Sequence, residues 1–194
     1  MGEANRLLAA AAEIQRFCTS AGWKFCFIGG VAVQHWGEPR LTRDADLTVF
    51  TGVGDEPRYV DALLSSFAAR MEGMRDFALR HRVVLLRASN GIPLDVSLGA
   101  LDFESAAVER SEIVEIADGV RLRLCSADAL IVFKVFAGRP QDWLDVEGIV
   151  AKSGGRVDWP SVRTELRTLL ALKEDSESLP RLEVLLTRRG IRAE

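Results

Sequence analysis

The stretch that most constrains this chain runs from Asp44 to Phe50 and reads DADLTVF. Ala45, Leu47 and Val49 alternate there with Asp44, Asp46 and Thr48. A period of two places the first set on one face of a β-strand and the second set on the other. The apolar face has to be buried by a sheet and its neighbours. The opposite face carries two carboxylates about 7 Å apart along the strand, which repel one another unless a cation joins them.

Composition bounds the rest. A chain of 194 residues suffices for one generous domain, or for one domain with an appendage. It can bury roughly 70% of its unfolded surface without a disulfide or structural metal. The balance of 25 basic and 28 acidic side chains leaves a net charge of −3, which offers no general nucleic-acid-binding surface. Cys18, Cys26 and Cys125 lie in or beside apolar runs without metal-type spacing, and read as buried free thiols of a reducing compartment. No apolar run approaches the ~20 residues of a membrane span. The N-terminal MGEANRLLAAAAEIQRF has charges within its apolar part and reads as an amphipathic helix rather than a signal peptide. A cytoplasmic protein is expected.

Helical spacing spans residues 4–20, and Lys24 to Ile28 forms a short strand ending at Gly29-Gly30. A short helix over 31–36, the strand 44–50 and a helix near 56–72 follow. Arg82 to Ala88 and Ile92 to Leu98 flank Ser89-Asn90-Gly91 and predict a hairpin. Pro93 lacks an N–H, so its end of the strand is expected at a sheet edge. A second hairpin is expected over 112–124 around Asp118-Gly119, and helices over 126–137, 141–152, 158–173 and 179–189. The fold class is therefore α+β: a mixed sheet flanked by helices, then a helical C-terminal third. The expected division is a core over 1–125 and a helical subdomain over 126–194.

Taken alone, Gly29-Gly30 is a turn, or a backbone able to approach a phosphate closely. Asp44 and Asp46 gain a third carboxylate in Asp95, on the polar face of the strand that follows the Asn-Gly turn. Hard divalent cations favour such oxygen ligands. The stretch FIGGVAVQHWGEPRLTRDADLTVF resembles the signature of the DNA polymerase beta-like nucleotidyltransferase superfamily. The resemblance implies a nucleotidyltransferase-type sheet and NTP as substrate. It implies that Gly29 and Gly30 hold the nucleotide phosphates. Asp44, Asp46 and Asp95 would bind two magnesium ions, with manganese an alternative, and Asp95 would take the proton of the attacking hydroxyl.

A second segment, ALIVFKVFAGRPQDWLDVEGIV, places Lys134 within an almost wholly apolar helix and Asp142 and Asp145 one turn apart on the next. Lys134 either snorkels to solvent or has its charge compensated by phosphates or a carboxylate. The segment resembles the AbiEii-like (abortive infection toxin) branch, which implies that Lys134 and Asp142 or Asp145 line the active site. It also implies RNA, including tRNA, or a protein as acceptor, and a cognate antitoxin. Arg43 is read as a phosphate contact, and Arg40 as a phosphate contact or a partner of Asp44 and Glu38. An antibiotic nucleotidyltransferase of lincosamide or aminoglycoside type is the competing enzyme reading. A catalytically idle nucleotide- or partner-binding module is the alternative outside that class. His35 and His81 read as structural or solvent-facing, Trp36, Trp143 and Trp159 as packing, and the tail Arg188-Arg189-Arg192 as a solvated helix end rather than an acceptor contact.

Overall fold

The computed structural model describes residues 3–117 and 119–191. The chain divides into two compact units, one of residues 1–31 and 41–125, the other of residues 32–40 and 126–194.

The first unit holds helix α1 (Glu3–Ser20) and strand β1 (Phe25–Phe27). Helix α2 (Gly30–Trp36) then carries the chain into the second unit. On return come β2 (Ala45–Phe50), α3 (Glu56–Ser66), β3 (Ala68–Ala69), α4 (Met74–His81) and β4 (Val83–Arg87). They are followed by β5 (Pro93–Gly99), α5 (Asp102–Glu109), β6 (Glu112–Ala117) and β7 (Val120–Leu124). The strands form one mixed sheet in the order β3-β4-β5-β2-β1-β7-β6. β2 lies inside it, antiparallel to β1 and parallel to β5.

Ala45, Leu47 and Val49 are fully buried, as the alternation of β2 requires. The stripe Leu7, Ala11, Ile14 and Cys18 of α1 is buried as well, and α1 packs against β2 and β7. The Asn-Gly hairpin forms with Gly91 at φ 82°, a conformation that favours glycine. Asn90 Oδ1 accepts the Ile92 N–H at 3.1 Å and closes the turn. In the second hairpin, Gly119 has φ 75°, and Asp118 lies outside the described residues.

Three local features differ from the sequence expectation. The helix near 56–72 stops at Ser66, because Phe67 turns extended and Ala68–Ala69 pairs with β4 as an edge strand. β5 is an interior strand between β4 and β2. Pro93 is tolerated at its first position, opposite Arg87, because the register with β2 begins one residue later at Leu94. The polar face of β2 is not uniformly open. Helix α5, absent from the sequence reading, packs on β1 and β2, and Thr48 is fully buried with its hydroxyl unpartnered.

The second unit contains α6 (Ala127–Ala137), α7 (Pro140–Ser153), α8 (Trp159–Leu172) and α9 (Ser178–Arg188). Ser126 Oγ accepts the Ala129 N–H at 3.2 Å to start α6, and Asp158 Oδ1 accepts the Ser161 N–H at 3.2 Å to start α8. Gly138 ends α6 at φ 69°, and Pro140 opens α7. Leu130, Ile131, Ile149 and Leu166 fill the core, and Trp143 and Trp159 are buried beside them. The segment 32–40 is tied to this unit by the Ser153 hydroxyl, which donates to the Trp36 carbonyl at 2.7 Å. Among the described residues, no helix is long and apolar enough to cross a membrane. Cys18, Cys26 and Cys125 are buried and form no disulfide, and burial pushes the Cys18 thiol up to about 12.

Candidate functional site

The register of the sheet assembles the acidic site. β2 and β5 run parallel with Asp46 directly beside Asp95, and Asp44 precedes β2 by one residue. One oxygen from each of Asp44, Asp46 and Asp95 lies within 4.8 Å of the others, and all three residues are half-buried. Such an all-oxygen donor set, open to solvent on one side, suits a hard divalent cation.

The two glycines have a steric reason that the sequence alone does not disclose. A β-carbon on Gly29 would come within 2.5 Å of Asp46 Cβ and overlap the carboxylate. One on Gly30 would come within 2.6 Å of Thr42 Cβ. The glycine pair thus lets the end of β1 lie against the acidic end of β2, where Ile28 N–H donates to the Asp46 carbonyl at 3.0 Å. Thr42 in turn orients Asp44, its hydroxyl donating to Asp44 Oδ1 at 3.1 Å.

Arg70 completes this site, and no motif in the sequence points to it. Its side chain forms an ion pair with Asp95 through Nη1 and Oδ1. The backbone explains the reach. Arg70 N–H donates to the Leu85 carbonyl at 3.0 Å, and Leu85 is the register partner of Asp95. Burial raises the Asp95 carboxyl above its ordinary value and the Asp44 charge adds to the rise, while Arg70 acts in the other direction. Arg43 is exposed and makes no ion pair among the described residues.

The remaining sequence candidates gather in the second unit. Lys134 does not snorkel. It is buried, and its ammonium lies 3.0 Å from Asp142 Oδ1 and 2.8 Å from Asp145 Oδ2. Carboxylates therefore compensate its charge, and phosphates are not required to explain its burial. Arg40 reaches Asp145 with two hydrogen bonds: Nε donates to Oδ1 at 2.6 Å and Nη2 to Oδ2 at 2.9 Å. Arg139 holds Asp142 through Nε at 2.6 Å and through its own backbone N–H at 3.1 Å. Burial pushes both carboxyls upward, but the hydrogen bonds from Arg139 and Lys134 to Asp142, and from Arg40 and Lys134 to Asp145, outweigh it and hold them below the usual range. Elsewhere in this unit, Glu147, Arg181, Val184, Leu185, Arg188 and Arg189 line a groove of about 450 Å³. The Arg181 guanidinium lies 4.2 Å above the Trp143 ring. Arg192 lies outside the described residues.

No protein-family model matches the sequence, and no curated protein does either. Solved structures do match. An antigenic nucleotidyltransferase-like protein from Paracoccidioides brasiliensis is 18% identical over 92% of this chain and 94% of its own, with a TM-score of 0.52. The solution structure of the antibiotic-resistance factor ANT(2'')-Ia is 13% identical over 98% of this chain and all of its own, at 0.54. A crystal structure of ANT(2'')-Ia in complex with adenylyl-2''-tobramycin is 12% identical over 86% of this chain and 98% of its own, also at 0.54. At these identities the likeness is one of fold, and the fold of this chain is the α+β nucleotidyltransferase type.

Proposed function

We propose that the protein is a metal-dependent nucleotidyltransferase that moves a nucleoside monophosphate from an NTP to a hydroxyl acceptor. The observation that carries this reading is the convergence of Asp44, Asp46 and Asp95 beside the glycine pair of a nucleotidyltransferase-type sheet. Asp44, Asp46 and Asp95 would hold magnesium, or manganese in its place. The bound cations supply positive charge that offsets the charge developing on the transferring phosphate and the departing pyrophosphate. The new bond joins the acceptor oxygen to the α-phosphorus, and the bond to the β-phosphate oxygen breaks. Asp95 takes the acceptor's proton. Gly29 leaves room for Asp46 and Gly30 for Thr42, which orients Asp44, and we assign the glycine-pair backbone and Arg43 to the nucleotide phosphates.

Lys134, Asp142 and Asp145 we assign to positioning, since each is already held in a network of ion pairs. The division at residues 125 and 126 into a catalytic core and a helical subdomain is part of the same reading. The AbiEii-like placement, with its toxin role and antitoxin partner, rests on a resemblance that covers most of residues 20–150 and is carried by the segment from Ala129 to Val150.

Charge bears on the acceptor. The groove lined by Arg181, Arg188 and Arg189 against Glu147 favours an anionic acceptor such as RNA over a cationic antibiotic. The test offers each labelled NTP with magnesium, and either total RNA or an aminoglycoside and a lincosamide. Label in RNA supports the proposal, and label in the drug selects the competing enzyme. Label in neither, nor in protein, with a folded sample leaves the idle binding module.

A further inference from the structure

Arg70 and Asp95 sit at the outer end of one row across the sheet. Asp46 on β2 faces Asp95 on β5, Asp95 faces Leu85 on β4, and the Arg70 N–H bonds to the Leu85 carbonyl. Residues in register share a face, so Asp46, Asp95 and Leu85 form a half-exposed strip. The Arg70 side chain reaches Asp95 in that strip. It arrives from the end of a two-residue, exposed edge strand. The side chains of the pair are 28% and 29% exposed, so neither group is fixed in the core.

We propose that Arg70 is a displaceable counter-cation of the acidic site: it holds Asp95 when no metal is bound, and a divalent ion has to displace it. This rests on the metal-binding reading given above. The guanidinium occupies Asp95 Oδ1 within the same triad whose oxygens converge to 4.8 Å, so a cation drawing on that oxygen meets both a blocked ligand and a like charge. The barrier is modest. A half-exposed ion pair changes an equilibrium constant by up to about fivefold. Arg70 therefore sets the concentration at which the site loads, and in the metal-free protein it offsets the mutual repulsion of the three carboxylates.

Direct titration with manganese, followed by the electron paramagnetic resonance of the free ion, tests this without reference to activity. Wild type, Arg70→Met and Arg70→Lys are compared, with circular dichroism as the check on folding. Arg70→Met should bind manganese about three- to fivefold more tightly than wild type. Arg70→Lys, which retains the charge, should stay near wild type. In EDTA, Arg70→Met should melt below wild type. Equal manganese affinity in Arg70→Met would show that Arg70 does not compete, and weaker affinity would make it a support for Asp95; either result overturns the proposal. Failure of all three folded proteins to bind manganese would instead remove the metal-binding reading itself.

Discussion

Asp142 and Asp145 in the second unit are 1% and 3% exposed, whereas Asp44, Asp46 and Asp95 in the first are half-buried with their carboxylates converging. The buried pair is met by Lys134, Arg40 and Arg139, and its carboxyls are held below their usual range. The triad includes the Arg70 ion pair, yet the Asp95 carboxyl is raised. Buried carboxylates matched by cations serve as scaffold, because each charge is neutralised where it sits. A carboxylate such as Asp95, whose burial and whose neighbour Asp44 raise its proton affinity despite the ion pair, calls for a further cation. Under the proposed function the same residue type thus carries two roles, and the partners decide which.

The largest effect expected from this contrast is on transfer. Asp46→Ala should lower the rate by at least roughly 10²–10³-fold, the loss that follows removal of one electrostatic stabiliser, while the protein stays folded. Near-wild-type turnover by folded Asp46→Ala would place the chemistry elsewhere.

Asp145→Ala should act on stability instead. It strips Lys134 and Arg40 of a shared partner, and breaking a buried pair in this way costs about 3–5 kcal/mol. Trp36, Trp143 and Trp159 belong to the second unit and Trp23 to the first, so tryptophan emission during urea unfolding in a Trp23→Phe background reports the second unit. An unchanged midpoint would mean that the cluster does not hold the unit together.

A smaller effect separates the two regions by the sign of their pH dependence. The raised Asp95 carboxyl gives a contribution that is complete below the ordinary value near 3.9 and is lost as pH rises through the folded value. Asp142 and Asp145 are lowered, so their contribution is complete above about 3.9 and is lost as pH falls through their folded values. Urea midpoints measured across the acid range should show Asp95→Asn removing a pH dependence above about 4 while leaving that below it unchanged. A change confined to the lower window would reverse the assignment.

Much of this was legible in the sequence because it is local. The alternation of β2, the Asn-Gly turn, and the caps at Ser126, Gly138, Pro140 and Asp158 each depend on a few neighbouring residues. The missing elements lacked such signals. α4 follows Gly73 at φ 67° without a side-chain cap, and α5 follows Leu101, with the Glu104 carboxylate accepting the Ala100 and Leu101 N–H groups instead. β3 is two alanines in a stretch that continues the helical pattern of α3. Partners far apart in sequence were the least legible. The Arg70–Asp95 pair depends on the order of three strands, and Arg40 meets an aspartate 105 positions away.

The most direct test of the central claim is the binding of manganese to wild type and to Asp44→Asn/Asp46→Asn, measured on the same samples as their melting in EDTA. Wild type should bind manganese and melt several degrees higher with magnesium and a suitable NTP than in EDTA, since a ligand at a hundred times Kd stabilises by about 2.7 kcal/mol. The double variant should lose both binding and shift, and should melt no lower than wild type in EDTA, having shed two repelling charges. Undiminished manganese binding and an undiminished shift in the folded double variant would contradict the account.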